Sequence, residues 1–380
     1  MNETNRKLAV ELRHALHAYP ELSNQEHWTK ERLMGFLREH TQALDIVDKG
    51  RWFYAAYRAG KERPGIAFRA DFDAVPVEDA CGKAYASTVP GVGHQCGHDG
   101  HSACLAAFAL EIDRSGADKN VFFLFQHAEE TGDGAKEWAA LFDCEQVDEI
   151  FGFHNSPGSP LGTVLVRDGC IYCASEGMTL SFQGTPSHAS MPENGKNPAY
   201  AISNLIQALP RLTEPGKHKG ILLATIIQVN IGERAFGTQA SRGQLLLTIR
   251  AQYEAELNQL RDAIGALAKQ EAQRDGLTLE ITYCDVFPET VNYKTSNDKI
   301  RAVCKKMGVP VIEMEEPCRP SEDFGHYTKR IPGAFFGIGT GKEAPPLHTT
   351  GMDFNDEIIP LAAALYRGLL EEDFYDNRPK

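Results

Sequence analysis

The stretch GIAFRADFD, residues 65–73, is an apolar run that ends in charged residues. Two later stretches repeat this order: VFFLF at 121–125 runs into QHAEE, and EIFGF ends directly before His154. Continuous apolar runs of this length are typical of strands that are covered on both faces. Helical segments predicted near 102–113 and 134–142 lie between them. Strands and helices that alternate in this way predict an α/β layer with largely parallel strands.

A change of pattern near residue 175 predicts an inserted second domain. MTLSFQG alternates apolar and polar residues, as a half-exposed antiparallel strand does. The segments that follow are a helix at 198–212, strands at 221–229 and 244–250, a helix at 254–274 and a strand at 277–283. This β-α-β-β-α-β order is ferredoxin-like. We therefore predict one α/β domain made of residues 1–176 and 286–380, and an inserted α+β domain at 177–285.

Composition limits the classes of partner. The chain has 39 Lys and Arg against 52 Asp and Glu, a formal net charge of −13, which disfavours binding to nucleic acid or to an anionic membrane. Its apolar runs fall short of the roughly 18 residues that a membrane helix needs. The first residues do not resemble a secretory signal, so we predict a cytoplasmic location. Nine cysteines, an odd number, favour reduced thiols over a disulfide framework.

A dense group of metal-ligating residue types lies in GVGHQCGHDGH, residues 91–101. It brings together His94, Cys96, His98 and His101, a combination of imidazole and thiol that suits zinc above other divalent metals. Two other interpretations stay open here. Asp99 could cap the start of a helix, and Cys96 could act as a nucleophile.

Carboxylates follow the predicted strands, at the edge of an α/β sheet where binding sites form. Asp71 and Asp73 come after the first run, the Glu129–Glu130 pair after the second, and His154 after the third. Two adjacent carboxylates beside a metal can have different roles, because one can bind the metal while the other transfers protons. A solvated charged loop is the alternative interpretation of each residue alone.

Eight ordered segments together resemble a known family, the di-metal amidohydrolases that include hippurate hydrolase and indole-acetyl-amino-acid hydrolases. The resemblance covers nearly the whole chain. The segments are HAYPELSNQE (17–26), RADFDAVPVE (69–78), HQCGHDGH (94–101), QHAEETGDGA (126–135), GFHNSPGSPLG (152–162), GTPSHASMP (184–192), SEDF (321–324) and LHTTGMDFND (347–356).

The resemblance implies a pair of divalent metal ions in each subunit, with Glu129 as the general base and acid. Zinc is favoured by the thiolate, and manganese, cobalt or nickel are alternatives. The fold it implies is a zinc-peptidase-like catalytic domain with a mixed, mainly parallel sheet, whose inserted domain acts as a lid through which two subunits form a homodimer. The metal ligands it implies are Cys96, His98, Glu130, His154 and His348.

The resemblance also implies roles around the metals. Asp73 matches a residue that orients the site, and Asp71 stands where more distant relatives have a ligand histidine. His188 matches a histidine of the inserted domain that reaches into the partner's site and stabilises the developing oxyanion. Arg250 ends a predicted strand and either binds a substrate carboxylate or is simply solvated. Glu322, in SEDF, is expected either directly behind the metal ligands or against the substrate.

Two departures from the family pattern concern the substrate. His127 replaces a proline, and the segment IGERAFGTQASRG at 231–243 lacks the usual substrate-contacting asparagine. We predict a hydrolase that cleaves the amide of an N-acyl amino acid or a similar small amide. The alternatives are a dipeptidase or carboxypeptidase with the same centre, a metal-dependent binding protein without catalysis, and a thiol hydrolase that uses Cys96.

Overall fold

The computed structural model describes residues 1–138 and 141–372, which divide into two units. Among the described residues, the larger unit contains 1–138, 141–171, 290–317 and 323–372, and the smaller contains 172–289 and 318–322. Each unit has its own cluster of buried apolar side chains. The predicted helix at 134–142 is found as two short helices, and residues 139 and 140 between them lie outside the described part of the chain.

The helices of the described chain are α1 (Glu3–Ala18), α2 (His27–His40), α3 (His98–Ser115), α4 (Gly134–Trp138), α5 (Leu141–Cys144), α6 (Ala199–Leu212), α7 (Glu254–Asp275), α8 (Lys294–Met307), α9 (Gly325–Thr328) and α10 (Ile358–Glu371). The strands are β1 (Leu44–Asp48), β2 (Phe53–Tyr57), β3 (Gly65–Asp71), β4 (Asn120–Gln126), β5 (Glu149–Pro157), β6 (Val164–Val166), β7 (Gly169–Tyr172), β8 (Ala174–Gln183), β9 (Leu222–Ile231), β10 (Arg242–Ala251), β11 (Thr278–Phe287), β12 (Thr290–Asn292), β13 (Val311–Glu313) and β14 (Gly333–Gly341). Within these residues, no helix is both long and apolar enough to cross a membrane.

An eight-stranded mixed sheet organises the larger unit, in the order β1-β2-β4-β3-β5-β14-β6-β13. The four central strands β4, β3, β5 and β14 are parallel, whereas β1 and β2 join at one side as antiparallel neighbours. Every residue of β3 and β4 is buried, as expected of strands that are covered on both faces. The predicted mixed, mainly parallel sheet is therefore confirmed.

The carboxyl ends of the central strands bring polar residues to one edge of this sheet. Asp71 ends β3 and pairs with Gln126 at the end of β4, while His154 lies in the second half of β5. Helix α3 starts at this edge, directly after Gly97, whose φ of 97° is left-handed. A Cβ on Gly97 would lie 2.7 Å from the Asn155 side-chain oxygen, so glycine is required there both by conformation and by space.

The smaller unit contains the predicted ferredoxin-like fold. Its elements run β8-α6-β9-β10-α7-β11, and the sheet order is β11-β8-β10-β9 with antiparallel pairs throughout. Residues of β8 alternate between buried and less buried positions, as the sequence pattern predicted. Strand β9 lies at the edge of the sheet and exposes several aliphatic side chains. These are Leu223, Ile226, Ile227, Val229 and Ile231.

Candidate metal centre

Five predicted metal ligands of the larger unit lie close together. The Cys96 thiol sulfur is 3.4 Å from His154 Nε2. One carboxylate oxygen of Glu130, Oε1, is 3.2 Å from His348 Nε2 and 3.8 Å from His98 Nε2. Donor atoms at these separations can share one or two metal ions.

The five candidate ligands come from four separate segments at the sheet edge. His98 is the first residue of α3, Cys96 lies in the turn before it, and Glu130 follows β4. His348 lies in the segment between β14 and α10, where its φ of 59° is unusual for a residue with a side chain. Its backbone N–H donates to the carbonyl of Gln95 at 2.7 Å, which ties this segment to the turn that carries Cys96.

A carboxylate orients His98. Its Nδ1 lies 3.0 Å from Asp73 Oδ1, while Asp73 Oδ2 accepts hydrogen bonds from the Ser23 hydroxyl and from the Glu130 backbone N–H. With Nδ1 engaged in this way, the lone pair of His98 Nε2 faces the cluster. Carboxylates commonly hold metal-binding histidines in this manner.

Two buried polar atoms of the cluster have no hydrogen-bond partner among the described residues. They are Nε2 of His98 and Oε1 of Glu130, the latter 3.2 Å from His348 Nε2 but without hydrogen-bond geometry. Buried polar groups are almost always paired, so two neighbouring atoms of the metal-ligating type without a hydrogen bond fit a bound metal ion. The residues present therefore suit the group that the sequence predicted.

The electric field of the cluster also favours a cation. Burial alone would lower the pKa of His98, but Asp71, Asp73 and Glu130 around it raise that pKa to about 10. Burial, together with Glu130 and Glu129, holds the pKa of the Cys96 thiol well above its usual value. Without a metal, the carboxylates thus keep protons on His98 and Cys96. A divalent metal would displace these protons when it binds.

Asp71 has both carboxylate oxygens engaged by protein groups. Oδ2 accepts from Arg69 at 2.6 Å and Oδ1 lies 2.6 Å from His101 Nδ1. Burial would raise the pKa of Asp71, but His98, Arg69 and His101 hold it well below its usual value. This pairing suits a residue that supports the site better than one that binds the metal directly.

Glu129 lies beside the ligands. Its side chain is 7% exposed, and its Oε2 is 3.9 Å from His98 Nε2, on the same side as Glu130. Ala128 before it has a left-handed φ of 48°, and its N–H donates to the Glu26 carboxylate at 2.7 Å. This strained turn thus brings the carboxylates of Glu129 and Glu130 to the same nitrogen, Nε2 of His98.

Three predicted site residues belong to the smaller unit. His188 is exposed, with Nδ1 2.7 Å from the Ser190 hydroxyl. Arg250 donates to the Arg319 carbonyl at 2.5 Å and to the Ser321 hydroxyl at 2.6 Å, so it is not merely solvated. Glu322 is buried.

The atypical segment at 231–243 supports the loop of His188. The His188 backbone pairs with Thr238, the Ala189 N–H donates to the Gly237 carbonyl, and the Gln239 side chain donates to the Ser187 hydroxyl at 3.1 Å. The segment 231–243 therefore shapes the loop that carries His188.

Sequence reasoning missed a buried network behind the candidate metal ligands. Arg69 donates to Asp71 and also to Asp323 at 2.8 Å, and Gln126 donates to the other oxygen of Asp323 at 2.7 Å. The SEDF segment contains Asp323, but only its neighbour Glu322 was predicted. Asp99 was considered as a helix cap, yet it lies inside the first turn of α3 and binds Arg13 and His17.

The fold and the cluster define a class of protein, the zinc-peptidase-like domains that carry an inserted ferredoxin-like domain. The model of peptidase family M20/M25/M40 matches residues 67–372, and the chain belongs to this family. This confirms the family predicted from the eight segments. The family supports a metal-dependent amidohydrolase activity for the chain.

Relatives and solved structures agree with this assignment. The chain is 30% identical to N-acetyl-L-cysteine deacetylase of Bacillus subtilis over 341 residues, 89% of this chain and 81% of that protein. It is 27% identical to a second Bacillus subtilis protein, N-acetylcysteine deacetylase, over 95% of both chains. The Bacillus subtilis YXEP protein, described as a dinuclear metal binding peptidase from the M20 family, shares the fold with a TM-score of 0.81 at 24% identity, covering 97% of this chain and 98% of that one.

Proposed function

We propose that the chain hydrolyses the amide bond of an N-acyl amino acid, releasing a carboxylate and a free amino acid. The observation that supports this proposal most directly is the position of Glu129 beside the five candidate ligands, within 3.9 Å of His98. A base and a complete ligand set in one place favour catalysis over a metal-dependent binding function.

In this proposal, Cys96, His98, Glu130, His154 and His348 hold two divalent metals, with zinc favoured because of the thiolate. When bound, the metals would polarise the amide carbonyl and lower the pKa of water, so that a nucleophile exists at neutral pH. The set contains a thiolate and a carboxylate against four metal charges, so net positive charge remains to attract the anion that forms during amide hydrolysis.

Glu129 moves the protons in this scheme. Amide nitrogen is a poor leaving group until it is protonated, and water is a poor nucleophile until it loses a proton. The Glu129 carboxylate takes a proton from the attacking water and delivers it to the departing nitrogen, acting as general base and then as general acid. Its burial keeps it out of bulk solvent, where the proton would be lost.

The surrounding residues act by orientation. Asp73 fixes the ring of His98, and Arg69 fixes Asp71, which in turn holds His101. Contacts of this kind set the basicity and direction of metal ligands. They do not touch substrate in this scheme.

The smaller unit supplies the remaining parts of the proposal. His188 stabilises the oxyanion in the partner's site. Arg250 or Glu322 contributes to substrate recognition. The positive charge of Arg250 would attract the free carboxylate of an N-acyl amino acid. The exposed aliphatic edge of β9 supports a homodimer, since an unpaired edge strand with apolar side chains is suited to pairing with a second copy. The relatives named as N-acetylcysteine deacetylases favour a small N-acyl group.

The proposal is tested by measuring metal content and amine release together. Elemental analysis is expected to find at least two metals per chain, the number that the candidate centre holds. Amine release is measured on N-acetyl amino acids, N-benzoyl amino acids and dipeptides, before and after chelation and again after zinc is restored. We expect turnover of an N-acyl amino acid that chelation abolishes and zinc restores.

Three other outcomes would contradict the proposed substrate, the proposed role of the metal or catalysis itself. Turnover of dipeptides alone would make the protein a dipeptidase. Turnover that survives complete removal of metal would favour Cys96 as a nucleophile. A metal-replete protein that is inactive on the whole panel would favour a binding function.

A further inference from the structure

A second group of metal-ligating side chains lies in the larger unit and shares no residue with the candidate metal centre. His17 Nε2 is 3.2 Å from Asp79 Oδ2 and 3.9 Å from the Cys81 sulfur, which is 3.6 Å from the same Asp79 oxygen. We propose that His17, Asp79 and Cys81, here called the outer cluster, form an additional zinc site.

The distances within the outer cluster match tetrahedral zinc coordination. A zinc ion with sulfur near 2.3 Å and nitrogen or oxygen near 2.0–2.1 Å separates its donor atoms by about 3.3–3.6 Å. The three observed separations, 3.2, 3.6 and 3.9 Å, differ from these by a few tenths of an ångström. Three protein ligands leave a fourth position for water.

The ligands are held in place before a metal arrives. His17 Nδ1 lies 2.8 Å from Asp99 Oδ2, an oxygen that also accepts from Arg13 at 3.2 Å. This is the arrangement in which a carboxylate orients a metal-binding imidazole and leaves Nε2 for the metal. Asp79 is fixed by the backbone N–H groups of Cys81 and Ser87, at 2.9 and 2.7 Å.

A buried histidine beside the outer cluster is a second observation that indicates a polar ligand. His94 is 1% exposed, and neither of its ring nitrogens has a hydrogen-bond partner among the described residues. Its ring centroid is 6.3 Å from that of His17. A fully buried imidazole without a partner is unusual, and this one lies next to the first ligand of the outer cluster.

The chemistry of the donors selects the metal. A thiolate and an imidazole favour zinc over magnesium or calcium, which prefer oxygen. The charges of Asp79 and of the Cys81 thiolate balance the two charges of zinc, and the thiol proton is released to solvent on binding. The side chains of His17 and Asp79 are fully buried while Cys81 is partly exposed, so the ion enters from the side of Cys81.

The bound ion would join parts of the chain that are distant in sequence. His17 lies near the end of α1, whereas Asp79 and Cys81 belong to the segment between β3 and α3. Asp99 follows His98, so the carboxylate that supports the outer cluster is adjacent in α3 to a ligand of the candidate metal centre. The bound ion would therefore stabilise the start of that helix.

The test counts zinc in the full-length protein. Chelator-treated protein is titrated with zinc, desalted and submitted to elemental analysis, for the wild type and for Cys81→Ser, Asp79→Asn and Cys284→Ser. Cys284 is an exposed cysteine of the smaller unit and serves as the matched control. We expect Cys81→Ser and Asp79→Asn to bind about one zinc fewer per chain than the wild type and the control. Equal stoichiometry in all four proteins would overturn the proposal.

A second measurement needs no variant and so does not depend on how the substituted chains fold. Apo and zinc-saturated wild-type protein are treated with iodoacetamide, and alkylation of each cysteine is followed by peptide mass spectrometry. We expect zinc to slow alkylation of Cys81 by about tenfold or more, because a metal-bound thiolate is shielded, while Cys284 reacts at an unchanged rate. Equal alkylation of Cys81 with and without saturating zinc rules the site out.

Discussion

Replacing Glu129 with glutamine removes the proposed proton carrier and keeps its size. We expect Glu129→Gln to retain its metals and its fold while turnover falls by about 10²–10⁴, the usual contribution of a general base and acid. The measurement is kcat together with metal content by elemental analysis. Glu130→Gln is the matched control, since the proposed ligand should lose metal as well as turnover. Near-normal kcat in Glu129→Gln would show that the base is another group.

Glu26 makes stability depend on pH. Burial disfavours its ionised form and Asp73 adds negative charge, so its pKa rises from 4.5 to about 8. The folded protein therefore binds this proton more tightly than the unfolded chain. The stability that results is fully present below pH 4.5 and is lost as the pH rises through 8.

Glu26→Gln tests this dependence, because the amide still accepts from the Ala128 N–H but cannot ionise. The measurement is urea denaturation of the metal-free protein. As the pH rises from about 5 to about 9, we expect the free energy of unfolding of the variant to increase, relative to that of the wild type, by on the order of 1–3 kcal/mol. The control is Glu62→Gln, at an exposed turn residue. A Glu26→Gln difference that stays constant across this range would contradict the assignment.

A functional residue could be predicted from the sequence where its chemical type differs from that of the residues around it. Cys96 and His98 stand out in a short segment, and the carboxylates stand out at the ends of apolar runs. Arg69 could not be found in this way, because it lies within an apolar run and its partner Asp323 is 254 residues away. The outer cluster was missed for the same reason, since His17 is separated from Asp79 by 62 residues.

At the scale of elements, α3 depends on close packing at its first turn. A Cβ on Gly100 would lie 2.1 Å from the ring of Phe354, which is buried and cannot move aside easily. We expect Gly100→Ala to lower the free energy of unfolding by about 1–3 kcal/mol through overpacking, and to weaken metal binding because His98 lies in the same turn. Thermal unfolding and zinc titration provide the measurements.

Gly35→Ala in α2 is the control for this prediction. Gly35 lies within a helix, and a Cβ there has no neighbour within 4 Å among the described residues. Alanine at that position should therefore stabilise the protein by about 0.5–1 kcal/mol. If both substitutions changed stability in the same direction, steric contact with Phe354 would not be the cause.

The elements that the sequence predicted are those with a strong periodic or continuous apolar signal. Strands β3, β4 and β5 were found because both of their faces are buried. Strands β6 and β13 have three residues each, too few to show a pattern. Helix α3 was predicted from residue 102 but begins at His98. Its first turn is polar although it is buried, and the search for helical periodicity used apolar residues only.

At the scale of the whole molecule, the proposed homodimer depends on the edge strand β9. Ile227 is 60% exposed there, and a charge in the middle of an apolar edge opposes pairing with a second copy. We expect Ile227→Glu to sediment as a monomer in analytical ultracentrifugation where the wild type is a dimer. Ile312→Glu, on the edge strand β13 of the eight-stranded sheet, is the control and should remain dimeric. A wild-type monomer would contradict the dimer itself.

The proposed role of His188 in the partner's site gives a sharper test through mixed dimers. Glu129→Gln and His188→Ala are each expected to be inactive alone. In a dimer with one subunit of each, the His188→Ala subunit keeps Glu129 and receives His188 from its partner, so one of the two sites is complete. Random exchange makes half of the dimers mixed, and turnover should recover to about a quarter of wild type. If His188 acted within its own subunit, no mixed dimer would contain a complete site, and mixing the two inactive proteins would restore no activity.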